Sequence, residues 1–234
     1  PERLAATPAQ ARDGQSKWFF TDVDLWVLAI YAELAGIHEV VPSVRPEIDK
    51  ALSPAARNSL QGLLQLLRAR LTLTSIEASR LGGGKVSVAD LDRGFWRHYV
   101  DNRYAGYKGK EPPVSCSKSE SRVNVKSDDV PLVDTGGWDF SHARRLVHVI
   151  DALDRQRAAM IRLYKLPADR IPSGLGDAFA AALVERVWNG DRARPLFSNY
   201  WDGTNGWYRA GYAGGSQPCY EGYAPSGLSD AFAL

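Results

Sequence analysis

The sequence predicts an all-α domain of antiparallel helical hairpins, and three observations predict it. Several segments carry apolar residues at the 3.6-residue helical spacing behind recognisable caps. No pair of alternating runs is joined by a hairpin turn, so nothing reads as a strand. The peptide Pro172-Ser173-Gly174-Leu175-Gly176-Asp177-Ala178-Phe179-Ala180 also returns at Pro225-Ser226-Gly227-Leu228-Ser229-Asp230-Ala231-Phe232-Ala233, matching at eight of nine positions. This internal repeat reads as one helix start used twice.

The elements follow in order. Residues 1–16 are polar and Ala-rich and form an N-terminal arm, leaving residues 17–234 as a single helical domain. Thr21 caps a helix to Ala35, with Asp22 and Asp24 near its positive end and Gly36 as its stop. Ser53-Pro54 starts the next helix, in which Leu60, Leu63, Leu64, Leu67 and Leu71 make one stripe and Gly82-Gly83-Gly84 end it. Ser87 and Asp90 resemble a capping box that opens a helix to about Arg103. Residues 106–137 are a long loop, exposed to proteolysis around residues 118–126. Asp139 or Ser141 opens the longest helix, which runs to about Tyr164. A further helix spans Leu175 to Trp188, and residues 191–225 form a second long loop. The second copy of the repeat stops at Leu234, too short for a stable helix, so the chain is expected to be truncated or processed there.

Composition narrows the partners. With 29 basic against 27 acidic residues the net charge is +2, which gives no broad attraction to nucleic acid. No apolar run approaches the ~18–20 residues that span a membrane. The chain starts at Pro1 without Met, and its two cysteines, Cys116 and Cys219, lie in polar loops outside any CxxC pair. A disulfide between them and an exported protein are the expectation. His38, His98, His142 and His148 lack metal-ligand spacing, and neither a phosphate loop nor a dinucleotide fingerprint occurs, so no metal or cofactor is expected.

The densest chemistry lies in the second loop. Tyr200, Trp201, Trp207 and Tyr208 surround the turn dipeptides Asp202-Gly203 and Asn205-Gly206, with Arg209 and Glu221 following. Aromatic faces beside Asp, Asn and Arg suit a sugar, whose rings pair apolar C–H faces with hydroxyls. The competing reading folds the loop back and buries the rings. A second cluster, Asp139 and His142, sits at the mouth of the longest helix, where His142 can act as a general base and Asp139 can equally be a simple N-cap. If successive helices alternate in direction, Asp22, Asp139, His142 and the 197–223 loop share one end of the domain.

Repeated helix starts with aromatic, carboxylate-bearing loops between them look like the (α/α)-toroid carbohydrate-active proteins, which include bacterial glycoside hydrolases and polysaccharide lyases. The resemblance rests on the repeat and on the Tyr-Trp-Asp-Gly and Gly-Trp-Tyr-Arg segments, under half of the chain. It implies cleavage of a polysaccharide or cell-wall glycan. From the residues' own chemistry, Tyr200, Trp201, Asn205, Trp207, Tyr208 and Arg209 are the candidate sugar contacts, Asp202, Asp139 and Glu221 the candidate carboxyls for hydrolysis, and His142 or Tyr208 the candidate base for elimination. Near-neutral charge favours hydrolysis slightly over elimination. The alternative is a glycan-binding or envelope scaffold protein without catalysis.

Overall fold

The computed structural model describes residues 2–13, 16–117, 120–213 and 219–227, so the second copy of the repeat falls outside the described residues from Leu228 onward. The fold is mixed α/β and not all-α. Its helices are α1 (Glu2–Ala5), α2 (Asp22–Val40), α3 (Arg45–Ala51), α4 (Pro54–Arg70), α5 (Phe140–Ala143), α6 (Leu146–Tyr164) and α7 (Leu175–Ala182). Two antiparallel hairpins accompany them: β1 (Leu71–Glu77) with β2 (Lys85–Leu91), and β3 (Val114–Cys116) with β4 (Ser121–Val123).

The strands replace expected helix for physical reasons. Helix α4 stops at Arg70, because Leu71-Thr72-Leu73-Thr74-Ser75-Ile76 is rich in β-branched residues that suit a pleated surface. Gly82, Gly83 and Gly84 all take positive φ and turn the chain back, pairing Leu71 with Leu91 and Glu77 with Lys85. Ser87 and Asp90 therefore lie on β2 and cap nothing. The 106–137 loop contains the β3–β4 hairpin, and the longest helix breaks at Arg144 and Arg145 into α5 and α6.

Thr21 caps α2 as the sequence suggests. The Asp24 carboxylate accepts from the Thr21 backbone N–H at 2.8 Å and is clamped by Arg3 at 2.6 Å, which ties the arm to the helix. Gly36 does not end the helix. It lets α6 come close, since a Cβ there would fall 2.4 Å from the Gln156 side chain.

Helices α2 and α6 lie side by side and parallel, a departure from the expected antiparallel neighbours. Ion pairs mark the alignment from end to end: Asp22 with Arg145 at 3.4 Å, Glu33 with Arg155 at 2.8 Å, and Glu39 with Arg162. Helix α4 packs against α2 and runs the other way. Arg57 at its start donates to the Leu163 carbonyl at 2.7 Å, and Arg70 at its end donates to the Trp18 carbonyl at 3.2 Å. This up-down-up arrangement gathers the starts of α2, α5 and α6 at one end. The main core is continuous through the helices, the β1–β2 hairpin and α7, which lies on β2.

Cys116 and Cys219 form a disulfide across 103 residues, a bond that persists in oxidising surroundings. It joins β3 to the loop that follows Tyr212. Cys116→Ser is expected to lower unfolding free energy by about 4–5 kcal/mol through loop-closure entropy. A urea midpoint unchanged by the substitution would contradict this.

Candidate functional site

The site is built where residues 138–140 run beside residues 199–201. Phe140 N–H donates to the Asn199 carbonyl and Trp201 N–H to the Trp138 carbonyl, both at 2.7 Å, and Asp139 forms a bridge with Tyr200. Farther along, Gly206 presses against Ala105, where a Cβ would fall 1.7 Å from the carbonyl oxygen. Only glycine permits that approach, which brings Tyr208 and Arg209 to the start of α5.

Asp139 is fully buried and caps α5. Its Oδ1 accepts from the His142 backbone N–H at 3.0 Å and from the Ser141 hydroxyl at 2.8 Å. Its Oδ2 accepts from His142 Nδ1 at 2.6 Å and Trp96 Nε1 at 3.1 Å. Burial pushes this carboxyl up, but the bonds and charge from His142 and the Ser141 bond outweigh it and hold Asp139 below its ordinary value. With four donors satisfied, Asp139 orients its neighbours and has no proton to give.

His142 is thus fixed with its proton on Nδ1, and Nε2 has no protein partner among the described residues. Its ring stands edge-on to Trp96, Tyr99 and Trp138 at 5.2, 5.7 and 6.1 Å, so an aromatic wall sets its tilt. The Ser141 hydroxyl meets the Tyr208 hydroxyl at 2.9 Å. Arg209 takes a left-handed φ of 59°, donates its N–H to the Asp101 carbonyl at 2.8 Å, and pairs with the Asp101 carboxylate at 3.2 Å. Burial pushes the Tyr99 hydroxyl up to about 12, assisted by the charges of Asp101 and Asp139.

Comparison with protein-family models, curated proteins and solved structures finds no match.

Of the residues singled out from sequence, the structure brings together Asp139, His142, Tyr208 and Arg209. It does not bring the others to them as a working set. Tyr200, Trp201, Trp207 and Tyr208 are each at most 5% exposed, so their ring faces cannot hold a sugar. Trp201 stacks on Phe140 at 6.3 Å and donates to the Ala89 carbonyl, and Trp207 donates to the Gly109 carbonyl. The turns fold these rings inward, where each indole N–H finds a backbone carbonyl. Asn205 is occupied by two backbone bonds with Ser226. Glu221 accepts from the Cys116 N–H at 3.4 Å, beside the disulfide. Asp202 accepts from the Thr204 N–H and hydroxyl, and lies near Asp90, a carboxyl that the sequence reading assigned only to a helix cap.

Asp90 is 2% exposed on β2, its Oδ1 accepting from Leu91 N–H and its Oδ2 without a partner among the described residues. Burial, aided by the Asp202 charge, pushes it up to about 7. A carboxyl raised in the folded state keeps a proton that the unfolded chain has lost, so its contribution is complete below pH ~4 and fades as pH rises through ~7. Stability is therefore expected to fall by up to roughly 4 kcal/mol across that window, and Asp90→Asn to flatten the fall. Urea midpoints measured at pH 4.5 and 8 test this, and equal slopes in both proteins would refute it.

Proposed function

We propose that this chain is an exported carbohydrate-active enzyme that cleaves an acidic glycan by β-elimination, with His142 as the base. The observation that carries the reading is the His142–Asp139 pair, which leaves Nε2 without a partner among the described residues, on a ring that meets Tyr99 edge-on, while Asp101, the carboxylate paired with Arg209, feels the charges of both His142 and Asp139. Asp139 orients the ring and stabilises the imidazolium formed when Nε2 takes a proton. In the reaction Nε2 removes the proton beside a uronate carboxylate, a carbon–carbon double bond forms, and the glycosidic C–O bond breaks. Arg209 offsets the charge that builds on the carboxylate. Tyr99, protonated at neutral pH, supplies a proton to the departing oxygen.

Hydrolysis has less support. It needs two carboxyl groups facing a common gap, roughly 5–9.5 Å apart. Asp139 is saturated by four hydrogen bonds, Asp202 is turned onto Thr204, and Glu221 is held at Cys116. The disulfide supports the exported location, and no single helix among the described residues is long and apolar enough to cross a membrane.

The test is incubation with a panel of uronate-bearing and neutral glycans, following both reducing ends and the absorbance of unsaturated uronates. The expected result is both signals with acidic glycans only. Reducing ends alone would mean hydrolysis, and binding without either signal would mean a non-catalytic glycan binder. Either outcome overturns the proposal.

A further inference from the structure

Helix α2 is apolar on two opposite faces. Leu25, Leu28, Ala32 and Ala35 are buried against the core. On the other side Val23, Trp26, Ile30, Ile37 and Val40 are between 43% and 75% exposed. With Glu33 these positions step by three, four, three, four and three residues, the alternation of a coiled-coil seam. A helix hydrophobic all round is ordinarily covered all round. Here only the core face is covered.

We infer that α2 is a homodimer interface, pairing antiparallel with α2 of a second copy of this chain. The seam is self-complementary in that sense. Under a two-fold axis between residues 31 and 32, Val23 meets Val40 of the second copy, Trp26 meets Ile37, and Ile30 meets Glu33. A parallel pair would instead set Glu33 directly against Glu33, two like charges in one layer. Glu33 arrives neutralised, because Arg155 of its own chain holds it at 2.8 Å. A single polar residue in an apolar seam fixes register at some cost in stability. The seam spans about 26 Å of helix. So short a seam suits a reversible dimer better than an obligate one, whose interface is ordinarily larger.

Sedimentation equilibrium of the full chain over a wide concentration range tests the pairing. The expected result is a concentration-dependent doubling of mass. Ile30→Glu with Ile37→Glu should return a monomer whose circular dichroism is unchanged. Orientation is read by oxidative crosslinking: Trp26→Cys mixed with Ile37→Cys should give a crosslinked heterodimer, whereas neither variant alone should crosslink. A monomer at every concentration overturns the inference, as does crosslinking of either single variant with itself. Binding of the wild type, but not the double glutamate variant, to phosphatidylglycerol vesicles without self-association would assign the face to a membrane surface and equally overturn it.

Discussion

Asp139→Asn is expected to lower kcat on an acidic glycan by about 10²- to 10⁴-fold, with a smaller change in KM. The substitution keeps the shape and, because asparagine caps helices well, keeps α5. It changes what faces the ring. The carboxylate accepts from both His142 Nδ1 and Trp96 Nε1 through one oxygen. An amide nitrogen there would oppose two donors, so His142 would move its proton to Nε2 and lose the lone pair that acts as base. His142→Gln should show a similar loss. Initial rates of unsaturated-uronate formation, with the urea midpoint recorded for each variant, separate chemistry from folding. Activity within twofold of wild type in Asp139→Asn would remove the dyad from the mechanism.

A comparably large effect on stability is expected just past the end of β2, at Asp92. Arg70 and Asp92 form a buried ion pair at 2.5 Å, with Asp92 Oδ2 also accepting from Phe20 N–H at 3.0 Å. Arg70 further donates to the carbonyls of Arg3 and Trp18 and lies 3.3 Å from the Phe95 ring centroid. Arg70→Met leaves a buried carboxylate without its cation, and unfolding free energy should fall by about 3–5 kcal/mol. Adding Asp92→Asn should recover part of the loss, since asparagine tolerates the left-handed backbone at that position, where φ is 57°. Denaturant titration of the single and double variants gives the answer. A double variant no more stable than the single would mean that the loss comes from packing and not from the orphaned charge.

The helices were legible in the sequence where a cap and a stripe agree, as at Thr21 and at Ser53-Pro54. Asp22, Asp139 and Tyr208 do lie at one end, but the four helices expected up to Asp139, alternating strictly, would have put Asp22 and Asp139 at opposite ends. They converge because residues 85–91 are a strand, which leaves α2, α4 and α6 to alternate. The β1–β2 hairpin was hidden because Leu71 continues the leucine spacing of α4, so periodicity reads straight through the point where the chain becomes extended. Asp90 was hidden with it. Once residues 85–91 are a strand, Val86, Val88 and Asp90 fall on one face, and a carboxyl in line with two valines signals burial. The four loop aromatics were misleading for another reason. Turn dipeptides report backbone conformation, and say nothing about which way the neighbouring rings face. Asp101 sits in no pattern at all, and only its backbone and side-chain contacts with Arg209 identify it.

The three ion pairs along α2 and α6 carry a consequence for how the molecule is made. The Glu33–Arg155 and Glu39–Arg162 contacts close 122 and 123 residues of chain. During synthesis α2 leaves the ribosome some tens of seconds or less before its partner, at about 5–20 residues per second. For that interval both of its greasy faces are bare, and α4 alone can shield one of them. Contacts of such sequence separation also slow the search for the native topology. Refolding from denaturant should accordingly be slow and prone to aggregation at high protein concentration, with the rate set by the arrival of α6 and not by the formation of any single helix.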